Sequence, residues 1–202
     1  MRLESRVFQS PPNVKLQNVR CNFMTDYIYT DNLESKRLRT RKLTLDDVGL
    51  WAEFFEDKDA IEFLPNIGFP STKERAKHWI EKQLGRYADN RYGLQALINK
   101  DTNEFIGQCG LLAQEVDGEQ KVEVGYHIFK KHWGQGYAPE AAKLFIDFGF
   151  KNNQATSIIS IINTGNVRSQ KVALKNSLTK IKQTTWSNLD VFIYQIDKKS
   201  ST

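Results

Sequence analysis

The chain has 202 residues, 40% hydrophobic and 26% charged, with 29 lysines and arginines against 24 aspartates and glutamates, a formal net charge of +5. That length suits one globular domain with a real core, and no apolar run is long enough to span a bilayer. Two cysteines and three histidines, none at metal-ligand spacing, argue against a disulfide framework and a metal site and suit a reducing, cytoplasmic setting.

Residues 1–32 show no period and are broken by Ser10-Pro11-Pro12-Asn13, so they read as an N-terminal extension, loosely docked or flexible. Residues 33–197 run on without a linker as one domain, and 198–202 form a tail. The segment 36–43 alternates as a short strand, its basic residues read as solvated positions. Asp46 and Asp47 read as the N-cap of an amphipathic helix carrying Leu50, Trp51, Phe54 and Phe55. A second short helix spans Asp57 to Pro65. Ser71-Thr72-Lys73-Glu74 is a capping box opening a longer helix, with Ala76, Trp79, Ile80, Gln83, Leu84 and Tyr87 at helical spacing. The pattern then turns to strands at 92–99, 104–113 and 121–129, joined by Asp101-Thr102-Asn103 and by an Asp117-Gly118 hairpin turn. A helix follows over 138–151, then an isoleucine-rich strand at 157–162, a helix over Val167–Lys175, and strands near 180–186 and 190–196.

The connection between the strand at 121–129 and the helix at 138–151 carries the strongest chemical signal. It reads Lys131-His132-Trp133-Gly134-Gln135-Gly136-Tyr137-Ala138-Pro139-Glu140-Ala141-Ala142. Strand, two-glycine turn and helix leave backbone N–H groups unpartnered at a helix N-terminus, where the helix dipole also favours an anion. Gly134 and Gly136 can take positive φ and let a ligand approach the main chain, and Pro139 suits a first turn. Other phosphate loops do not fit: Pro139 occupies the third glycine position of the dinucleotide fingerprint, and the Gly-Lys-Ser/Thr of a mononucleotide loop is absent. A plain β-turn-α connection is the alternative reading of these residues.

The run resembles the acetyl-CoA pyrophosphate loop of the GNAT N-acetyltransferases, Arg/Gln-x-x-Gly-x-Gly/Ala, with Lys131 in the basic position. More narrowly, Glu123-Val124-Gly125-Tyr126 followed by Trp133-Gly134-Gln135-Gly136-Tyr137-Ala138-Pro139-Glu140-Ala141 resembles the RimJ/RimL-type branch, which includes ribosomal-protein N-terminal acetyltransferases. The resemblance covers 33–197 and implies a single α/β (α+β) domain. Its mixed central sheet would have about six to seven strands, flanked by about four helices, with a V-shaped splay between the strands at 121–129 and 157–162. It also implies acetyl-CoA (coenzyme A) as cofactor. The pantetheine arm would lie in the splay, bonding main chain as an added strand does. The contacting residues would be His127, Ile128, Phe129, Lys131, Trp133, Gly134, Gln135, Gly136, Tyr137, Ala138, Asn166 and Ser169. Gly125 suits a bulge or a close-packed neighbour.

Two residues are the candidates for catalysis. Glu123 is a carboxylate within an apolar strand, a placement that raises its pKa toward that of a general base, and it aligns with the Glu of the family's Glu-Ile/Val-Gly-Tyr segment. A structural carboxylate is the other reading, and Tyr126 and His127 are fallback bases. Asn166-Val167-Arg168-Ser169 resembles the family's Asn-x-x-Ser, which places Asn166 on the pantetheine arm and the Ser169 hydroxyl near the thioester sulfur; Asn166 is a good N-cap in its own right. The family then continues Lys-Leu-Gly-Phe, whereas this chain reads Lys175-Asn176-Ser177-Leu178, which leaves that turn and one pocket wall open. The expected activity is direct acetyl transfer in a ternary complex to a primary amine, either a protein N-terminus or a small molecule. A non-catalytic acyl-CoA-binding or regulatory module on the same scaffold is the alternative, and the charge alone is weak ground for nucleic-acid binding. Homodimers are common in the family, and this sequence leaves oligomeric state open.

Overall fold

The computed structural model describes residues 30–65, 68–152 and 154–199. Most of the N-terminal extension and the end of the tail lie outside the described residues. In chain order the elements are β1 (Leu38–Arg41), α1 (Val48–Glu56), α2 (Lys58–Ile61), α3 (Thr72–Ala88), β2 (Leu94–Asn99), β3 (Phe105–Val116) and β4 (Glu119–Ile128), then α4 (Tyr137–Lys151), β5 (Ser157–Asn163), α5 (Val167–Lys175), β6 (Thr179–Trp186) and β7 (Leu189–Asp197). The strands form one seven-stranded mixed sheet in the order β1-β2-β3-β4-β5-β7-β6. No helix among the described residues is long and apolar enough to cross a membrane.

The sheet is covered on both faces, as its strands' continuous apolar character requires. On one face Cys109, Leu111, Val124 and Ile128 pack with Tyr137, Ala141, Ala142, Phe145 and Ile146 of α4. On the other, Ala96, Ile98, Phe105 and Phe129 pack with Trp51, Phe54 and Phe55 of α1 and with Ala76 and Ile80 of α3. Replacing a core aromatic such as Phe145 by alanine costs about 3–5 kcal/mol in sites of this kind.

Antiparallel pairing runs through β1, β2, β3 and β4, and again through β5, β7 and β6. Between the two groups β4 and β5 are parallel and share one registered pair, Glu123 with Ile159. Beyond that pair the strands part. This is the splay expected from the resemblance, and α4 is the crossover that makes a parallel neighbour possible.

Local chemistry explains the boundaries, correcting the sequence reading at one point and deciding two that it left open. First, Asp47 stands at the N-cap position of α1 as read, but it is already helical and its side chain makes no cap hydrogen bond to α1. A 3-10 turn at Leu45–Asp47 precedes α1 with Thr44 at its N-cap, and the Asp47 carboxylate reaches back to the Thr44 N–H (2.9 Å). Arg41 holds the same carboxylate bidentately, at 2.7 and 2.8 Å. Second, β4 keeps an even register with β3 through Gly125, so no bulge forms there. Gly125 is a close-packed position, where a Cβ would lie 3.2 Å from Leu112 Cδ1. Third, the turn after α5 survives the loss of the family's glycine. Ser177 itself takes the left-handed conformation (φ 62). The Ser177 N–H donates to Leu174 O and the Leu178 N–H to Ala173 O, a complete Schellman motif, and Leu178 is buried where the family has Phe.

Other signals behave as read. Ser71 caps α3 by accepting the Glu74 N–H (3.2 Å). Asp117 (φ 52) and Gly118 (φ 80) close the β3–β4 hairpin with positive φ at both central positions, and Ser187 (φ 48) and Asn188 (φ 61) do the same between β6 and β7.

Candidate active site

Three pieces of chain meet at the open end of the splay. The first is the turn into α4. After β4 a single 3-10 turn, Lys130–His132, leads through Trp133 to Gly136, the N-cap of α4. Gly134 (φ 76) and Gly136 (φ 82) are both left-handed, a conformation that costs a residue with a Cβ roughly 1–2 kcal/mol. The backbone N–H groups of Gly134, Gln135, Gly136, Tyr137 and Ala138 have no hydrogen-bond acceptor among the described residues. A Cβ built on Gly134 meets nothing within 4 Å. The turn is shaped from outside: the Trp133 indole donates to Ile128 O (2.8 Å) and the Gln135 amide to Lys131 O (3.1 Å). These amides therefore stand at a helix N-terminus, where an anion is favoured.

Two basic residues flank this turn. Lys131 is exposed and paired with Glu104 at 2.6 Å. Arg37, which precedes β1, lies against the turn itself. Its guanidinium donates to Gln135 O (2.9 Å) and to Glu140 Oε2 (2.7 Å), and it lies over the Tyr137 ring at 4.3 Å. Glu140 sits in the first turn of α4 and would repel a phosphate. Burial alone would raise its pKa, but hydrogen bonds from the Ser35 hydroxyl, the Arg37 N–H and the Arg37 guanidinium outweigh burial and hold it below the usual carboxylate range. Sequence reasoning missed Arg37 because its partners lie about a hundred residues downstream.

The second piece is β4 where it leaves β5. Val124 turns its carbonyl toward β5 and accepts the Ser160 hydroxyl at 3.3 Å. By strand alternation Tyr126 and Ile128 turn their main-chain groups the same way, but β5 has moved off and supplies no registered partner. The Ile128 carbonyl is already taken by Trp133, which leaves its N–H. Glu123 sits at the apex of the V. Its Oε2 accepts the Gln114 amide (2.7 Å) and its Oε1 the Ile161 N–H (3.3 Å). Burial pushes its pKa up, against the Gln114 and Ile161 hydrogen bonds and the attraction of Arg86.

His127 points to the face covered by α1 and α3. Its ring packs edge-on to Trp79 (5.0 Å) and Phe54 (6.0 Å), and burial lowers its pKa to about 4. The Trp79 indole donates to Gln108 Oε1 (2.9 Å) beside it, leaving the buried Gln108 Nε2 without a partner among the described residues. The side chains of Ile128, Phe129 and Tyr137 are core, so a ligand would meet those residues through their main chain.

The third piece opens α5. Asn166 is its N-cap, accepting the Ser169 N–H at 3.0 Å. The Ser169 hydroxyl faces the Tyr126 hydroxyl at 2.7 Å, across the gap between the strands. Arg168 stacks over Trp133 at 4.4 Å and lies 3.5 Å from Glu62, while Lys130 pairs with Asp59 at 2.6 Å. Segment 57–63 thus touches both lips of the V. The structure brings Glu123, Tyr126, Trp133–Ala138, Asn166 and Ser169 around the opening between β4 and β5 and pairs the exposed Lys131 with Glu104. No group of three or more His, Cys, Asp or Glu among the described residues could hold a metal ion.

Open amides, an unpaired strand edge and a hydroxyl pair suit an extended phosphorylated ligand, and known proteins bear on which. The family model of the acetyltransferase (GNAT) domain matches residues 37–179. The uncharacterized N-acetyltransferase p20 of Bacillus licheniformis is 29% identical over 150 residues, covering 74% of this chain and 82% of that protein. A GNAT-family acetyltransferase structure from Bacillus anthracis matches with a TM-score of 0.68 at 23% identity, over 82% of this chain and 98% of that one. Mycobacterium smegmatis RimJ, in complex with CoA-disulfide, matches with a TM-score of 0.66 at 16% identity, over 79% of this chain and 81% of that one. The structural likenesses speak to fold, and the family match runs from Arg37 beside the turn, through the V and α5, to the first residue of β6. The chain belongs to the GNAT acetyltransferase family, enzymes that transfer an acetyl group to an amine.

Proposed function

We propose that this chain binds acetyl-CoA in the cleft between β4 and β5 and acetylates a primary amine by direct transfer in a ternary complex. The observation that carries this reading is the set of unpartnered amides from Gly134 to Ala138 at the N-terminus of α4, with Arg37 neutralising Glu140 beside them. When bound, the cofactor supplies the activated acetyl thioester. The Gly134–Ala138 amides and Arg37 would hold its pyrophosphate, and the free main-chain groups of Tyr126 and Ile128 would take the pantetheine arm as an added strand. The Ile128 N–H is the donor available to polarise the acetyl carbonyl.

The amine enters from the side walled by α1, α2 and α3. A protein N-terminus, with a reference pKa of about 7.7–8.0, needs little help to lose its proton, whereas a lysine-like amine near 10.4 needs a base. Glu123, its pKa raised by burial, is the group on that side able to accept one, directly or through water. His127, neutral in its aromatic setting, is too weak a base for an amine. Ser169 donates to the departing sulfur.

A second reading, an acyl-CoA-binding module without turnover, draws on one observation: both oxygens of Glu123 are already engaged, by Gln114 and Ile161. One pair of measurements separates the two. Calorimetric titration with coenzyme A tests the cleft, and thiol release from acetyl-CoA across a panel of protein N-terminal peptides, polyamines and amino acids tests turnover. Binding with no release from any amine favours the module, and no binding sinks both.

A further inference from the structure

We propose that Tyr126 is a positioning residue for acyl transfer, its phenol holding the Ser169 hydroxyl with the serine proton turned toward the departing sulfur. The inference rests on the reading of the cleft above and adds to it a residue that acts through another.

Tyr126 lies beyond the last registered pair of β4 and β5, and its ring packs against the core on the α4 side of the sheet. From there its hydroxyl reaches α5, 2.7 Å from Ser169 Oγ and 3.2 Å from Ser169 O. Asn166 fixes the Ser169 backbone through its N–H. Main chain and side chain of Ser169 are thus pinned by different partners, one on each side of the cleft.

Two arrangements of protons satisfy the distances to Ser169; the Ser160 hydroxyl, the phenol's other neighbour, is itself donated to Val124 O. In one, the phenol donates to the Ser169 carbonyl and accepts the serine proton, which is then spent inside the protein. In the other, the phenol donates to Ser169 Oγ, and the serine proton is free to point outward. An anion arriving beside Ser169 selects the second, because an anionic acceptor forms the stronger hydrogen bond. Burial raises the Tyr126 pKa well above that of a free phenol, so Tyr126 keeps its own proton and orients rather than supplies.

In the reaction the N–C bond forms from the amine lone pair, the C–S bond breaks with its electron pair going to sulfur, and the nitrogen gives up one proton. The sulfur takes one proton, ultimately from solvent, while Ser169 holds it in a hydrogen bond. The titratable groups that face Tyr126 are Cys109, its register partner on β3, and Glu123 on β4. A phenylalanine at 126 alters neither.

The test reads the sulfur without turnover. Coenzyme A bound to the full chain is titrated with pH, following the ultraviolet absorbance of its thiolate. Tyr126→Phe is expected to raise the ionisation of the bound thiol by about one pH unit and to lower kcat about tenfold, with KM for acetyl-CoA unchanged. Ser169→Ala gives the same shift, the double variant is no worse than either single one, and Ser169→Thr restores part of the loss. Desulfo-coenzyme A binds all variants equally, which also certifies that they fold. Equal thiol acidity in the wild-type chain and in Tyr126→Phe overturns the inference and leaves the cleft intact. Failure of the wild-type chain to bind coenzyme A overturns both.

Discussion

The Glu123 carboxylate accepts the Ile161 N–H at 3.3 Å, in a position where a strand of β4 still running alongside β5 would have offered a backbone carbonyl. A side chain here replaces a rung of the ladder at the point where the ladder ends. The same residue is thus wedge and candidate base, and the two roles make different demands on its charge.

Glutamine separates them. With Gln114 turned over, Glu123→Gln can still accept from Ile161 and donate to Gln114, so the fold should melt within a few degrees of wild type while kcat for a lysine-like amine falls about tenfold or more. Alanine strands two half-buried donors, each worth up to about 1–3 kcal/mol when fully buried, and should lower the denaturation midpoint. Full kcat in the glutamine variant across the pH range leaves the wedge and removes the base. The pH dependence of stability carries a sign as well. The folded pKa of Glu123 is raised, so its ionisation opposes folding: the wild type loses stability as pH rises from the unfolded carboxylate value through the folded one, and Glu123→Gln does not.

Glu140 has the opposite sign. Its folded pKa is depressed below 4.5, so the cluster with Ser35 and Arg37 stabilises above the unfolded carboxylate pKa and is lost as pH falls through the folded value. Arg37→Ala should blunt that acid loss only modestly, since the pair is partly solvated. Its larger effect is on coenzyme A, whose dissociation constant should rise about tenfold with a reduced dependence on salt, read by calorimetry at two ionic strengths. An unchanged constant would remove Arg37 from the binding site.

Gly136→Ala tests the turn. At φ 82 the alanine costs roughly 1–2 kcal/mol, and the displaced amides should weaken coenzyme A at least tenfold while the fold persists. Tight binding in this variant would show that the ligand does not use these donors.

His127 should stay neutral across the working range. With a pKa of about 4 against 6.5 in solution, it disfavours the folded state as pH falls between those values, and its imidazole resonances should not titrate above about pH 5. A titration midpoint near 6.5 in the folded chain would mean that the ring is wet and the aromatic wall around it open.

Ser177→Gly is a prediction of gain. The serine occupies the left-handed C′ position of a complete Schellman motif, and glycine there should raise stability by about 0.5–1 kcal/mol without moving kcat or KM.

Local rules made most of this fold legible. Periodic apolar residues marked α3 and α4, and the span of α5, opened by the Asn166 N-cap, matches the reading from Val167 to Lys175. Asp117-Gly118 declared its hairpin because both residues tolerate positive φ. What escaped depended on pairing at a distance. Nothing near Arg37 says that Glu140, 103 residues on, will hold it beside the turn. Nothing near Lys131 says that Glu104 will pair with it. Ser177 escaped for another reason: a serine in a glycine's conformation leaves no trace in composition. Glu123 was visible as a buried carboxylate, but its engagement by Gln114 and Ile161 follows only from the sheet's register.

The parting of β4 from β5 has a thermodynamic corollary. A sheet that opens in its own middle presents two bare edges inside one molecule, each able to accept an extended guest. Any ligand that fills the gap completes the sheet, and its binding energy then adds to that of folding by mass action. The melting temperature should climb with the logarithm of coenzyme A concentration, by about 2.7 kcal/mol of added stability at a hundredfold excess over the dissociation constant. Strand edges left open are also the places where other chains pair, so a ligand seated in the gap would cover them, and aggregation should slow as coenzyme A is added.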